Sequence, residues 1–258
     1  MGEREQTTEF ELLVAIVKYK TVLKRVREGV CTRYLAGLEV GTTLQVSLKT
    51  EGRIASWRDL GGVRGQPGRS YVLIGAGTGI APLRGLVLAK RDAEESSGGK
   101  GEDMVVGNGK VTTTTLIFGA RNKDADYFFA NDWNALTRNT SLPPRLNIIT
   151  AFSRDQQRKV YVQDCIREHA STLAPLMRDE NTVVVVCGSS GAMPKAVRAA
   201  LADALMAVPA ADEVVANGDG LVAPQGNDEE GKKEREEAAE AFLAQMERDG
   251  RYKQETWS

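Results

Sequence analysis

The sequence predicts an α/β protein built on a doubly wound parallel sheet, with a second, smaller unit ahead of it. From Ser70 onward four short apolar runs alternate with four helix-compatible stretches, the pattern of parallel strands joined by crossover helices. The first run, Tyr71–Gly75, passes through glycines at alternate positions straight into Ile80-Ala81-Pro82-Leu83. Hydrophobic residues make up 41% of the 258, enough to cover both faces of such a sheet.

Ahead of the sheet, Phe10–Lys20 is a β-rich run that predicts a strand starting almost at the first residue. Its partner strands are therefore expected upstream. Gly29-Val30-Cys31-Thr32-Arg33-Tyr34-Leu35 predicts a turn into a short helix, and Thr42–Thr50, with Leu44, Val46 and Leu48 alternating, a second strand. The glycine-rich segment 61–68 reads as a linker, which sets the expected domains at 1–66 and 67–258.

Strands are then expected at Tyr71–Gly75, Thr114–Gly119, Leu146–Phe152 and Val183–Gly188. Helices are expected at Ile80–Arg91, Asp124–Arg138, Lys159–Met177 and Ala192–Val208. The last carries Met193, Val197, Ala200, Leu201, Ala204 and Leu205 at helical spacing. Asp92–Thr113 and Pro209–Gly231 read as surface loops, and Lys232–Asp249 returns to helix with Ala239, Phe242, Leu243 and Met246 inward.

Gly75, Gly77 and Gly79 allow a sharp turn where side chains would clash, and Pro82 suits the first turn of a helix. A strand that turns into a helix N-terminus aims free N–H groups and the positive dipole end at one spot, which suits a phosphate. A purely structural glycine turn is the alternative. After the strand Leu146–Phe152 come Ser153-Arg154-Asp155 and Arg158-Lys159-Val160-Tyr161-Val162-Gln163. Hydroxyl, guanidinium, ammonium and phenol together suit a phosphate dianion, whereas a bare ribose calls for an acid on its hydroxyls. The competing reading is a solvated helix start, weakened because cations there oppose the dipole.

Several classes are excluded. A net charge of −1 argues against general nucleic-acid binding. No apolar run approaches the roughly 20 residues that span a bilayer. Cysteines at 31, 165 and 187 form no C-x-x-C pair, so a reducing cytoplasm is the expected compartment. The single histidine, His169, sits on the apolar stripe of Val162, Cys165, Ile166, Leu173 and Leu176, as a packed residue rather than a metal or catalytic one. Cys187, ending an apolar strand with no histidine beside it, reads as a core residue and not as a thiol nucleophile.

The ordered motifs G-x-G-T-G-x-A-P-L-R-G, Phe118-Gly119-Ala120-Arg121, S-R-D followed by K-V-Y-V-Q, C-G followed by M-P, and a terminal Trp-Ser resemble those of the diflavin reductases. Glu-Thr-Trp-Ser at the end, Val-Ala-Ile-Val-Lys-Tyr-Lys-Thr near the start and Ala-Phe-Ser-Arg-Asp-Gln-Gln are most similar to the cytosolic branch linked to iron–sulfur protein assembly. The resemblance implies a ferredoxin-NADP reductase-like NADPH domain preceded by the C-terminal part of an antiparallel β-barrel FAD domain. It implies hydride transfer from NADPH to FAD, then electrons to FMN, carried on a domain outside this chain, and to an iron–sulfur acceptor protein.

By the same resemblance Gly75, Gly77, Thr78 and Gly79 would hold the NADPH pyrophosphate, and Arg121 would add charge to it. Ser153, Arg154, Lys159 and Tyr161 would take the 2′-phosphate, with Gln163 in the same motif. Cys187 would lie by the nicotinamide C4, with Met193 in its motif and Glu255 beside it. Trp257 would stack on the FAD ring. Gly29, Val30, Cys31 and Thr32 resemble the turn for the FAD pyrophosphate. Ser189 and Ala196 stand where relatives often carry Asp. The segment that cradles the isoalloxazine would precede Met1, so the chain reads as the C-terminal portion of a longer flavoprotein. The alternatives are an NADPH-binding piece without FAD or turnover, and a cytochrome P450- or sulfite-type reductase.

Overall fold

The computed structural model describes residues 9–47, 69–96, 105–106, 110–138, 146–208, 216–217, 220–221 and 229–257. The chain divides into two compact units, Met1–Thr50 and Glu51–Ser258. The expected linker and the 66/67 boundary lie outside the described residues.

In the first unit, β1 (Lys18–Lys20) pairs antiparallel with β2 (Val26–Glu28), and α1 (Val30–Ala36) follows. Two expectations are corrected here. Of the run Phe10–Lys20 only the last three residues are strand, and residues 42–47 of the second expected strand are irregular. Alternation makes a strand only where a partner ladder and a covering layer exist. Phe10, Leu12 and Ile16 are 63%, 78% and 56% exposed, and none of the described residues in this unit is buried.

The second unit holds a five-stranded, all-parallel sheet. Its strands are β3 (Ser70–Ala76), β6 (Thr114–Ala120), β7 (Leu146–Phe152), β8 (Thr182–Ser189) and β11 (Tyr252–Trp257), in the order β11-β8-β3-β6-β7. Two short antiparallel pairs, β4 (Val105–Val106) with β5 (Lys110–Val111) and β9 (Ala216–Asn217) with β10 (Gly220–Leu221), fall inside the segments read as loops. The chain runs outward from β3 to β6 and β7, then returns to β8 on the other side of β3. Strand order therefore reverses between β3 and β8, where parallel sheets open a crevice at their C-terminal ends.

A Gly-Thr-Gly 3-10 turn leads from β3 into α2 (Ile80–Ser96). On one face of the sheet, Val72, Ile74, Ile117, Ile149 and Val186 form the core with α5 (Val162–Glu168), α6 (Ala170–Arg178), α7 (Met193–Ala207) and α8 (Glu229–Arg248). Alternation sends Leu73 to the opposite face, where it shares a small cavity with Leu86 and Val87 of α2. The expected stripe of α7 is buried from Val197 to Leu205, and the charged face of α8 is solvated, with Lys232–Glu236 and Lys233–Glu237 pairs.

Two expected helices are each broken in two. The stretch read as Lys159–Met177 divides at His169, which caps α5 and opens α6. Its Nδ1 lies 2.9 Å from the Cys165 carbonyl, so that nitrogen carries the proton. The stretch read as Asp124–Arg138 divides into α3 (Lys123–Asp126) and α4 (Ala130–Arg138), because Phe129 takes a left-handed φ of 62°. That bend buries Trp133, whose indole N–H donates to the Phe128 carbonyl at 2.8 Å, and stacks Tyr127 on Phe118.

The edge strand β11 is not apparent in the sequence, because Tyr-Lys-Gln-Glu-Thr-Trp lacks an apolar run. Arg251 fixes its start: Nη1 lies 3.2, 3.3 and 3.2 Å from the carbonyls of Met177, Asp179 and Thr182. Its own carbonyl accepts the Val184 N–H at 2.7 Å. Arg251→Ala is expected to cost about 2 kcal/mol, lowering Tm by roughly 4–8 °C. Amide exchange is expected to rise in β11 and not in β6; uniform acceleration would contradict the clamp.

Candidate functional site

The turn after β3 sits at the strand-order reversal. Gly77 has a φ of 58°, a left-handed value that glycine adopts without strain. Gly79 has no room for a side chain. A Cβ there would run into the Cys187 carbonyl and stand 2.9 Å from Gly188 Cα, so the turn is packed directly on the end of β8. Thr78 is half-buried, and the first turn of α2 contains no acid. The helix end thus keeps its positive field, and Gly75, Gly77, Thr78 and Gly79 form one compact cradle.

At the ends of β6 and β7 the structure brings Arg121, Ser153 and Arg154 together. The Ser153 and Arg154 N–H groups donate to the carbonyls of Ala120 (3.0 Å) and Arg121 (2.8 Å). Ser153 is buried, with its hydroxyl 3.3 Å from the Ala120 carbonyl. Arg121 is paired with Asp126 at 3.2 Å. Arg154, Arg158 and Lys159 are exposed, and among the described residues none of them has an ion-pair partner. Tyr161 caps α5 and is 42% exposed; its backbone N–H donates to Asp164 at 2.9 Å, and Gln163 follows on the first turn.

At the ends of β8 and β11, Cys187 is fully buried and stands in register with Glu255. Burial first, and the Glu255 carboxylate second, push the Cys187 thiol up to about 12. Glu255 Oε2 is buried and has no hydrogen-bond partner among the described residues. Gly188, with a φ of 145°, leaves room for the half-buried Met193, whose Cε lies 2.9 Å from where a Cβ would be. Trp257 is 39% exposed, and its carbonyl accepts the Ser190 N–H at 2.9 Å.

The thiols give a direct check. Cys31 is exposed, while Cys165 and Cys187 are buried with thiols raised mainly by that burial. At mildly alkaline pH a thiol reagent is expected to label Cys31 rapidly and the other two only after denaturation. Rapid labelling of Cys187 in the folded chain would contradict its place in the core. Because the fold raises the Cys187 pKa, the neutral thiol favours folding below about 9. That contribution is lost as pH climbs from there toward 12 and the unfolded thiol ionises.

In the first unit, Gly29, Val30, Cys31 and Thr32 lie together at the start of α1. The Thr32 hydroxyl accepts the Val17 N–H at 3.1 Å and donates to the Gly29 carbonyl at 3.4 Å. Val30 and Cys31 are exposed. Sequence reasoning assigned no role to Asn122, Asp126 or Arg251. The first two bond across the loop after β6, and Arg251 bonds to carbonyls remote in sequence, so no local pattern marks them.

A glycine turn at the reversal point, a cationic edge beyond it and the Cys187–Glu255 pair gather at the C-terminal edge of a doubly wound parallel sheet, where such sheets take nucleotides. The family model described as oxidoreductase NAD-binding domain matches residues 73–199. The NADPH-dependent diflavin oxidoreductase 1 of Emericella nidulans is 40% identical over 260 residues, covering 99% of this chain and 35% of the relative. That of Aspergillus fumigatus is 41% identical with the same coverage, and that of Schizosaccharomyces pombe is 31% identical over 96% of this chain and 34% of its own. Over nearly its whole length the chain is similar to diflavin oxidoreductases. It spans about a third of the length of the curated relatives it matches.

Proposed function

We propose that the second unit binds NADPH across the C-terminal edge of its parallel sheet and presents the nicotinamide for hydride transfer to FAD. The observation that carries this reading is the trio Arg154, Arg158 and Lys159, exposed at the end of β7 with no ion-pair partner among the described residues. Cations concentrated without partners favour a dianion, and the 2′-phosphate is the group that separates NADPH from NADH. The neighbouring acid Asp155, which a ribose hydroxyl would need, is engaged by Asn122 and Lys123.

The remaining residues fit the same ligand. The Gly75–Gly79 cradle and the α2 N-terminus would hold the pyrophosphate, supported by Arg121. Glu255 Oε2, an acceptor without a donor among the described residues, would take a carboxamide N–H or stabilise a positive nicotinamide ring. Cys187, held neutral, would supply a small uncharged wall beside it, and Met193 would fill the space that Gly188 leaves. Trp257 would cover the flavin side. When bound, the nicotinamide and the flavin carry the redox chemistry, and the chain orients them and excludes water. Gly29, Val30, Cys31 and Thr32 would hold the FAD pyrophosphate. We extend the reading to a cytoplasmic diflavin enzyme that passes electrons through FMN to an iron–sulfur acceptor, as the motif resemblance implies.

A second reading, NADPH binding without FAD or turnover, is favoured by the first unit, none of whose described residues is buried. Adding FAD to the purified chain and following the flavin absorption after anaerobic NADPH separates the two. Bleaching supports hydride transfer, NADP+ binding without bleaching supports the second reading, and neither result refutes both.

A further inference from the structure

Asp155 stands among the cations assigned to the phosphate, where its own charge would oppose an incoming anion. Its hydrogen bonds account for it. Beyond the ends of β6 and β7 the ladder continues for two rungs, Ser153 to Ala120 and Arg154 to Arg121. At the next position the side chain takes over from the backbone. Oδ1 of Asp155 accepts from Asn122 Nδ2 at 2.9 Å, and Oδ2 accepts the backbone N–H of Lys123 at 2.8 Å. Lys123 opens α3, and Asn122, its N-cap, makes no side-chain cap bond of its own. Asp126 of α3 in turn holds Arg121 at 3.2 Å and the Asn122 N–H at 3.2 Å. Asp155 is thus the carboxylate that ties the loop after β7 to the loop after β6.

We propose that Asp155 is a positioning residue whose carboxylate rung makes Arg121 and Arg154 leave the sheet edge as one rigid pair, set for a nucleotide carrying two phosphate sites. The inference rests on the NADPH reading above. Both carboxylate oxygens already accept hydrogen bonds, so Asp155 acts through geometry. A pure charge effect predicts the opposite sign, because removing an anion near a phosphate would tighten binding.

The test is calorimetric titration of the 258-residue chain and of Asp155→Ala, Asp155→Asn and Asn122→Ala with NADP+ and NAD+. Asp155→Ala is expected to weaken NADP+ about tenfold, and NAD+ by less, because Arg154 meets only the 2′-phosphate. Asp155→Asn is expected to stay within about twofold of the parent, since the amide can accept from Lys123 and donate to a turned Asn122 side chain. Asn122→Ala, which removes one rung, is expected to weaken NADP+ about threefold.

Unchanged or tighter NADP+ binding by Asp155→Ala overturns the proposal, as does an equal loss in Asp155→Ala and Asp155→Asn. Should Asp155→Ala fail to fold, an unchanged affinity in Asn122→Ala overturns it instead. A parent chain without preference for NADP+ over NAD+ refutes the nucleotide reading and this proposal together. A preference that the variants leave untouched removes only the positioning role.

Discussion

Gly79→Ala is expected to destabilise the second unit and weaken nucleotide binding, while Gly85→Ala, six residues on, is expected to stabilise the unit and leave binding unchanged. The added methyl at position 79 meets the carbonyl of Cys187 and, at 2.9 Å, Gly188 Cα. Both are backbone atoms of β8, which is held by β3 on one side and β11 on the other, so the strand cannot give way. Overpacking of this kind costs about 1–3 kcal/mol, and the strain falls on the turn itself. Gly85 lies inside α2, and beyond its own helix backbone no described residue comes within 4 Å of its missing Cβ. There the substitution gains about 0.5–1 kcal/mol of helix propensity. Thermal melts should shift in opposite directions, and titration should show NADP+ affinity reduced by at least about tenfold for Gly79→Ala alone. Two glycines that behave alike would show that the turn is not packed on β8 as described.

Arg154→Ala is the second large effect. A charge-assisted contact to phosphate contributes about 1.5–3 kcal/mol, so the NADPH KM or Kd should rise roughly tenfold to a hundredfold. NADH, which lacks the 2′-phosphate, should change little. The loss should also shrink as salt is added, because an exposed guanidinium is screened. Arg121→Ala should act differently. Its charge is already shared with Asp126, and its proposed place is at the pyrophosphate common to both nucleotides, so NADPH and NADH should weaken together and by less. An equal loss of both nucleotides in Arg154→Ala would contradict the assignment.

What the sequence made legible follows physical lines. The turn after β3 could be read because glycine spacing and a helix start are local facts, and the stripe of α7 because a buried helix face repeats along the chain. The adjacency of Arg121 to Ser153 and Arg154 was not read from the sequence; it comes from the parallel pairing of β6 with β7, which brings their ends to one edge. The breaks at Phe129 and His169 were not legible. One is imposed by burying Trp133 and stacking Tyr127, the other by an imidazole on the Cys165 carbonyl, and both act against helix-compatible sequence. Edge strand β11 was hidden because its residues are polar and its order depends on Arg251 reaching three distant carbonyls. The β-rich run from Phe10 to Ile16 misled because β propensity makes a strand only where a partner ladder and a covering layer exist.

The central claim is that cations at the end of β7 grip a ribose 2′-phosphate. Titrating the unaltered chain with 2′,5′-ADP and with 5′-AMP tests it without any flavin or turnover. The account predicts that 2′,5′-ADP binds at least about tenfold more tightly, with the difference falling as salt rises. Equal affinities would contradict it.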